Sequence, residues 1–221
     1  MQHRNDVIRI TSKIGCGNSR SNIMETRSVS LPVLYFGTPV ALVSSLNPDG
    51  TTNLSPISSY WALSDTFLVG LSETGQCRRN LKRCEELVLN LPDAPLWANV
   101  EAIAATSGSD AMPDTKKQMG YRFEHDKFKC AGLTRKASEC IAPMRVAECP
   151  IQIEARMVRI HRIGKEVDAM VAAELKALRV HVHSGLLSGA DRIHLERWHP
   201  LYYVFRQYFS LGPHLGTNFR A

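Results

Sequence analysis

The chain has 221 residues, of which 44% are hydrophobic and 22% are charged, and its formal net charge is +6 at pH 7. This composition argues against a disordered chain, and no apolar run approaches the roughly 20 residues that span a bilayer. The basic residues are scattered and show no RNA-binding signature or zinc-finger spacing, which argues against a nucleic-acid partner. We therefore expect one soluble globular domain without a membrane association.

The N-terminal residues and the cysteines bear on location. Residues 1–30 are polar and rich in Ser, Asn and Arg, so we predict a flexible N-terminal arm ahead of a domain over residues 31–221. The arm lacks the apolar region of a secretory signal. Six cysteines without a CxxC pair are too sparse for a disulfide scaffold. We expect reduced thiols and a cytoplasmic protein.

The first recognisable motif is a hairpin. Asn47-Pro48-Asp49-Gly50 lies between two β-rich runs, and Pro early in the turn followed by Gly predicts an antiparallel pair. The second strand and the residues after it carry more polar groups than a strand buried on both faces could satisfy. These positions are Asn53, Ser55, Pro56, Ser58 and Ser59. We expect some of these groups to face a ligand, the alternative being an edge strand that faces water.

A basic helix follows the next strand. Residues 66–71 are apolar and predict a core strand, and Ser72-Glu73-Thr74-Gly75 then offers an N-cap. The helix carries Arg78, Arg79, Lys82 and Arg83. Free amides, a helix dipole and guanidinium groups at one place favour a phosphate. The alternative is an ordinary capped helix whose arginines are solvated.

The remaining elements follow from periodicity. We predict strands over residues 87–91, Ile151–Ile163 and 178–182, and a helix over residues 97–106. The structure of residues 107–130 is left open, apart from a loop over residues 107–113. From Arg197 onward, the spacing of Leu201, Val204, Phe205 and Tyr208 predicts a C-terminal helical segment, whose apolar face would serve packing or dimer contact and not the cofactor.

In this order, the segments resemble the flavin reductase-like, FMN-binding split-barrel family, in its flavoprotein oxygenase-like branch. The matching segments are TPVALVSS, the DG turn, NLSPISSYW, GLS leading to RRNL, LVLNLP, GYRFEHDKFKCAGLT, APMRVAECPIQIEA and RWHPLYYVFRQYFSLGPHLGTNFR. The resemblance implies a mainly β fold, an antiparallel split β-barrel of Greek-key type with peripheral α-helices. It also implies sheet over residues 165–176, a homodimer and bound FMN.

The resemblance also suggests binding residues. For the phosphate, it implies Arg79, the amides around Gln76 and Cys77, and the hydroxyl of Ser72 or Thr74. For the flavin ring and ribityl chain, it implies the strand that carries Asn53, Ser55, Pro56, Ser58 and Ser59, followed by Tyr60 and Trp61. Asn80 would brace the cofactor loop, and Lys127 would contact the phosphate or the flavin O2. The alternatives are an ordinary surface asparagine on the helix for Asn80 and a solvated lysine beside an anchoring Phe128 for Lys127. Because Cys77 stands where many relatives have Thr, we expect only its backbone amide to contribute.

Other chemistries find less support in the sequence. His181 and His183 would share one strand face, but no further ligand has suitable spacing, so we predict no metal site. There is no G-x-S-x-G elbow and no Gly-rich dinucleotide fingerprint. NAD(P)H is therefore expected to bind transiently over the flavin, without a βαβ unit of its own.

The functional hypothesis is an FMN-dependent oxidoreductase that transfers hydride between NAD(P)H and flavin. No catalytic side chain is named, because the flavin carries the redox chemistry and the protein positions it. A nonenzymatic FMN carrier or redox module would need the same contacts and stays an alternative. A cofactor-free dimeric interaction domain is a third possibility.

Overall fold

The structure is a computed structural model that describes residues 25–164 and 170–219. The chain divides into two units, Met1–Leu34 and Tyr35–Ala221. Residues 25–34 contain no helix or strand, and most of the predicted N-terminal arm lies outside the described residues. The boundary between the predicted arm and domain stays a prediction.

The second unit consists mainly of short and medium strands. They are β1 (Thr38–Pro39), β2 (Ala41–Leu46), β3 (Thr52–Ile57), β4 (Tyr60–Leu63), β5 (Thr66–Ser72), β6 (Glu86–Leu91), β7 (Thr106–Ser107), β8 (Arg122–Phe123), β9 (Arg135–Lys136), β10 (Arg145–Val146), β11 (Ile151–Ile163), β12 (Met170–Val182), β13 (Tyr202–Val204) and β14 (Gln207–Phe209). The helices are α1 (Gln76–Leu81), α2 (Trp97–Ala102), α3 (Asp114–Gln118) and α4 (Lys127–Ala131), with 3₁₀ turns at Ala94–Leu96, Ser184–Leu186 and Leu195–Arg197. No helix in this part of the chain is long and apolar enough to cross a membrane.

The main sheet has seven antiparallel strands in the order β3-β2-β6-β11-β12-β5-β4. Its two edge strands, β3 and β4, are consecutive in the chain and are separated only by Ser58 and Ser59. The sheet must therefore curve until its two edges approach each other at this link. No ladder joins β3 to β4, so the described residues form no closed barrel. The mainly β, antiparallel class is confirmed, whereas a Greek-key connection is not shown.

The predicted hairpin is present. Strand β2 pairs antiparallel with β3, with Leu46 opposite Thr52. The Asn47 amide donates to the Thr51 carbonyl at 2.8 Å, and the Gly50 amide donates to the Asn47 carbonyl at 3.1 Å. Gly50 has a φ of +83°, in the left-handed region that side chains disfavour. The Pro-Asp-Gly sequence thus forms the turn for which its residue types are suited.

The predicted strands are confirmed with small changes of length. Residues 66–71 lie in β5, residues 87–91 lie in β6, and β11 has the predicted bounds. Residues 178–182 form the end of the longer β12, which also confirms sheet over residues 170–176. The remaining part of that prediction, residues 165–169, lies outside the described residues.

Two apolar clusters pack on opposite faces of β2. Val43 belongs to a cluster with Leu81 of α1 and Leu89 of β6. Leu42 belongs to a second cluster, with Phe128 of α4. Because successive strand residues point to opposite faces, burial on both sides makes β2 a central strand. The helices that pack here also border the cavity described below.

The predicted helix over residues 97–106 is too long. Helix α2 ends at Ala102, and the amide and hydroxyl of Thr106 both donate to the Ile103 carbonyl, at 3.1 and 2.7 Å. This local turn redirects the chain, so that Thr106 begins β7, which pairs in parallel with β8. Residues 107–130, left open by the sequence, contain β8, α3 and α4.

The predicted C-terminal helix is wrong. The residues after Arg197 form the hairpin β13–β14, in which Tyr203 lies opposite Tyr208. Strand β13 also pairs with β1, where Thr38 lies opposite Tyr203. Aromatic and β-branched residues suit a pleated strand, and backbone bonds from a distant strand outweigh the helical spacing. The turn consists of Phe205 and Arg206, both with positive φ.

Candidate functional site

A cavity of about 660 Å³ lies beside the split between β3 and β4. Two of its sides have different chemical character. The strand–helix wall comprises Ser55, Pro56, Ile57, Ser58, Ser59, Gly70, Leu71, Ser72, Gly75, Gln76, Cys77 and Arg78. The tyrosine wall comprises Tyr35, Glu101, Lys116, Tyr121, Tyr203, Arg206 and Tyr208.

The strand–helix wall contains many of the predicted site residues. Those that line the cavity are Ser55, Pro56, Ser58, Ser59, Ser72, Gln76 and Cys77, together with Lys127 from α4. The Ser59 hydroxyl donates to the Gly70 carbonyl at 2.9 Å, which links the β3–β4 connection to β5. The Ser58 hydroxyl has no hydrogen-bond partner in the described part of the chain. It is therefore available to a ligand.

Helix α1 begins directly after the segment predicted to supply its N-cap. Gly75, the last residue of that segment, occupies the N-cap position with φ −72° and ψ 152°, and no side chain in the described part of the chain caps the helix. The hydroxyls of Ser72 and Thr74 lie 3.2 Å apart and bond to each other. The predicted N-cap segment is therefore confirmed, but its capping residue is a glycine, which has no side-chain oxygen to accept an amide. The first-turn amides, from Gln76 to Arg78, find no acceptor among the residues that the structure describes, and all three residues line the cavity.

Two adjacent arginines lie in different environments. Arg78 lines the cavity, its side chain is 12% exposed, and its Nε donates to Glu73 Oε2 at 3.0 Å. Arg79, the predicted phosphate ligand, is exposed and does not line the cavity. Its Nη1 donates to Ser109 Oγ at 2.6 Å. The structure thus places Arg78 at the cavity and uses Arg79 to hold the loop that precedes α3.

Asn53 and Asn80 lie behind the cavity lining. Both are buried. Asn53 Nδ2 donates to Ser55 Oγ at 3.0 Å. Asn80 Nδ2 donates to Ser45 Oγ and Asn47 Oδ1, both at 3.0 Å, and Asn80 Oδ1 accepts from Gln76 Nε2 at 2.9 Å. Asn80 therefore ties α1 to the end of β2, and its predicted role toward a cofactor stays a prediction.

Three other predicted residues do not reach the cavity. Tyr60 packs against the apolar cluster around Val69, and burial raises the pKa of its hydroxyl. Trp61 is 55% exposed on the edge strand β4. Thr74 lies just outside the lining, bonded to Ser72. The aromatic surface of the cavity comes instead from tyrosines that the sequence did not identify as site residues.

Lys127 is a buried amine at the cavity. It is 3% exposed, and among the described residues its Nζ has one hydrogen-bond partner, the Thr106 carbonyl at a long 3.5 Å. Burial lowers the pKa of Lys127 to about 8, and the nearby charge of Lys116 adds to this effect. Burial also raises the pKa of the Cys77 thiol to about 11, so Cys77 is neutral near pH 7. An anion or a carbonyl oxygen in the cavity would give the Lys127 ammonium the acceptor it lacks.

The tyrosine wall comes from three separate parts of the chain. The Tyr203 ring lies 5.8 Å from Tyr35 and 5.6 Å from Tyr208, centroid to centroid. Lys116 Nζ lies 5.8 Å from the centre of the Tyr121 ring. The only sequence signal for this wall is the aromatic density of residues 202–209, which the helix prediction assigned to packing or dimer contact.

The cavity is cationic on balance. Its charged lining residues are Arg78, Lys116, Lys127 and Arg206, against a single carboxylate, Glu101. Glu101 accepts a hydrogen bond from the Tyr208 hydroxyl at 2.9 Å. Within the described residues, no three His, Cys, Asp or Glu side chains come together as a metal site would require. The arrangement suits an anionic ligand with aromatic and hydrogen-bonding surfaces.

The structure is a mainly antiparallel β protein with a predominantly cationic cavity, and comparison with known proteins identifies its class. Residues 33–212 match the model of the flavin reductase like domain. The chain therefore belongs to the flavin reductase-like family, which confirms the resemblance seen in the sequence. A relative in Bacillus subtilis (strain 168), the uncharacterized protein YdfE, is 40% identical over 195 residues, which cover 88% of this chain and 94% of YdfE.

Two solved structures show the same fold. Flavoredoxin of Desulfovibrio vulgaris (Miyazaki F) superposes with a TM-score of 0.73 at 19% identity, covering 89% of this chain and 99% of that protein. A Shewanella frigidimarina NCIMB 400 protein, described as a flavin reductase with a split barrel domain, gives a TM-score of 0.65 at 14% identity, covering 83% and 86%. Membership of the family supports flavin-related oxidoreductase activity, with a flavin as cofactor or substrate.

Proposed function

We propose that the protein binds FMN noncovalently in the 660 Å³ cavity and acts as an oxidoreductase that exchanges hydride with NAD(P)H. The observation that carries this proposal is the cavity itself, which combines free amides at the start of α1 with a buried, poorly paired ammonium at Lys127. Both features favour a bound anion. Family membership supports a flavin as that anion.

The lining residues fit the separate parts of FMN. The phosphate needs several donors, and the amides of Gln76 and Cys77, the hydroxyl of Ser72 and the guanidinium of Arg78 supply them along one wall. The polar edge of the flavin needs donors and acceptors, which Ser58 and the buried Lys127 can provide. Arg79 could reach the phosphate only if its bond to Ser109 opened.

The protein's contribution to the reaction is positioning. Bound FMN supplies the two-electron redox chemistry, so the chain needs no general acid or base for hydride exchange. Lys127 can place positive charge beside the flavin, because its ammonium makes a single long hydrogen bond within residues 25–164 and 170–219. Ser58 and the α1 amides fix the ligand's orientation. This division of labour is the reason that we name binding residues and no catalytic side chain.

The absorbance spectrum of the purified protein tests the proposal first. Yellow protein should release FMN on denaturation, identified by chromatography, and NADH or NADPH should bleach it under anaerobic conditions. Release of FAD as the main flavin would contradict the FMN assignment. Yellow protein that neither nucleotide bleaches would favour the nonenzymatic carrier. Colourless protein that gains no flavin absorbance when FMN is added would instead favour a cofactor-free interaction domain.

We also propose a homodimer. Trp61 and Leu63 on the edge strand β4 are 55% and 69% exposed, and large apolar side chains on an open sheet edge are usually covered by a partner. Light scattering should give twice the chain mass, and Leu63→Glu should shift the protein towards monomer. This substitution is cleaner than deletion of residues 197–221, which would remove the buried Leu201 and the β13 ladder. Wild-type protein with the mass of one chain would contradict the proposal.

A further inference from the structure

The tyrosine wall carries two cations that the flavin contacts proposed above do not use. Neither Lys116 nor Arg206 has a carboxylate within ion-pair distance among residues 25–164 and 170–219. Lys116 stacks on Tyr121, and the nearby Glu101 is engaged by the Tyr208 hydroxyl. Lys116 is also close enough to Lys127 for the two charges to repel each other. An anion at this wall would relieve that repulsion.

Arg206 is held at the cavity by an unfavourable backbone turn. Phe205 and Arg206 connect β13 to β14 with φ values of +45° and +68°, a conformation that two-residue turns normally assign to Asn and Gly. Two contacts with the residues just before β1 hold this turn in place. The Phe205 amide donates to the Tyr35 carbonyl at 2.8 Å, and its ring meets Phe36 edge-on at 5.2 Å. Backbone strain of this kind is typical of functional sites, and here it fixes a guanidinium at the cavity.

We infer that the tyrosine wall binds the anionic group of the transient second ligand, with Lys116 and Arg206 as specificity-determining residues. This inference rests on the proposed function, in which the flavin occupies the strand–helix wall. The tyrosine rings offer stacking surface for an aromatic ligand, and the two cations select a charged one. Two sources share this chemistry: the 2′-phosphate of NADPH, and the carboxylate of an aromatic electron acceptor.

The test compares three single variants of the full-length protein. Lys116→Met removes one ammonium, and Arg206→Asn removes the guanidinium while supplying a residue that tolerates positive φ, so this variant should fold at least as well as wild type. Lys117→Met is the matched control. Lys117 is the next residue on α3, pairs with Asp114 at 3.4 Å and does not line the cavity. Melting temperature and flavin occupancy are measured for each variant.

Calorimetry then separates the two sources. The probes are 2′,5′-ADP against 5′-ADP, and 4-hydroxybenzoate against 4-hydroxybenzyl alcohol. We expect Lys116→Met and Arg206→Asn each to weaken the binding of either 2′,5′-ADP or 4-hydroxybenzoate about tenfold, as loss of a charge-assisted hydrogen bond would. Lys117→Met should show no such loss. Loss for 2′,5′-ADP alone identifies the NADPH phosphate, and the NADPH-over-NADH ratio of kcat/KM should then fall about tenfold too. Loss for 4-hydroxybenzoate alone identifies the acceptor carboxylate.

Unchanged binding of both anions by folded Lys116→Met and Arg206→Asn proteins would overturn the inference. So would an equal loss in Lys117→Met, which would show a general charge effect. Because calorimetry needs no turnover, a protein that binds flavin and these anions but is not bleached by either nucleotide would contradict the proposed activity alone. The two failures are therefore distinguishable.

Discussion

The two walls of the cavity are encoded differently in the sequence. The strand–helix wall comes from residues 55–78, a single continuous stretch. The tyrosine wall combines Tyr35, residues from 101–121 and the β13–β14 hairpin, which lies beside Tyr35 because β13 pairs with β1. The first wall depends on local turns and strands, whereas the second depends on long-range topology. Sequence patterns can therefore indicate the strand–helix wall, but not the tyrosine wall, whose residues are far apart in the chain.

The walls also differ in the kind of ligand contact they offer. The strand–helix wall presents backbone amides and small hydroxyls, which hold a ligand in one orientation. The tyrosine wall presents rings and long cationic side chains, which tolerate different ligands that share a charge. This contrast is the one expected if a resident cofactor contacted the strand–helix wall and an exchanging substrate contacted the tyrosine wall.

The largest combined effect, on folding and on FMN binding together, should come from Gly108, whose loop supports the strand–helix wall. A Cβ added there would overlap Asn53 Oδ1 and approach Gln76 Cγ to 3.0 Å. Because Asn53 is buried and bonded to Ser55, the loop must move. Gly108→Ala should lower the free energy of unfolding by about 1–3 kcal/mol, measured by urea denaturation, and weaken FMN binding.

Gly185→Ala is the control for this change, since no atom lies within 4 Å of the added Cβ. It should be neutral or slightly stabilising. If Gly108→Ala were equally harmless, the close packing between this loop and β3 would not matter for the site.

The next effect distinguishes the two adjacent arginines. Arg78→Ala should weaken FMN binding by about 1.5–3 kcal/mol if its guanidinium contacts the phosphate. Arg79→Ala should have a smaller effect, because Arg79 acts through Ser109. Dissociation constants from flavin fluorescence quenching give the comparison. A larger loss in Arg79→Ala would restore the assignment made from the sequence and place the phosphate next to Ser109.

This pair of residues shows how far sequence reasoning reaches. The hairpin turn, the order of the strands and the start of the basic helix were predicted from residue types, because proline, glycine and alternating apolar residues act locally. Which of two neighbouring arginines faces the cavity depends on the exact start of α1. Helix starts are uncertain by one or two residues, and each residue turns a side chain by about 100°.

The C-terminal hairpin shows where sequence reasoning failed. Leu201, Val204, Phe205 and Tyr208 have helical spacing, yet the segment forms strands because β1 offers backbone partners more than 160 residues earlier in the chain. A spacing rule contains no information about such a partner. Three of the lining residues that the sequence did not identify, Tyr203, Arg206 and Tyr208, lie on this hairpin or its turn.

Lys127 should make FMN binding depend on pH. Its pKa of about 8 in the free protein will rise when an anion binds beside it, so binding takes up a proton above pH 8. FMN affinity should therefore fall between pH 8 and pH 9, by at most about tenfold per unit. Lys127→Met should bind FMN more weakly and lose this dependence. A wild-type affinity that is constant from pH 7 to pH 9 would show that the Lys127 charge is not coupled to the ligand.

The lowered pKa of Lys127 also makes the free energy of unfolding of the flavin-free protein depend on pH. Lys127 has a lower pKa in the folded protein than its usual 10.5, so the unfolded chain binds more protons between about pH 8 and pH 10.5. The contribution of this group to the free energy of unfolding therefore increases as pH rises through that window. Urea denaturation of the flavin-free wild type and Lys127→Met should differ less at pH 10 than at pH 7.

The smallest effect concerns the two serines between β3 and β4. Ser58→Ala removes a hydroxyl that lines the cavity and has no partner in the described part of the chain, so FMN binding should weaken by about 0.5–1.5 kcal/mol while the melting temperature stays constant. Ser59→Ala removes the bond to the Gly70 carbonyl. It should mainly lower the melting temperature, because this bond fastens the β3–β4 connection to β5. Thermal melts and FMN titrations of both variants separate ligand binding from support of the fold. If both substitutions changed the same measurement, Ser58 and Ser59 would not have separate roles in FMN binding and in support of the fold.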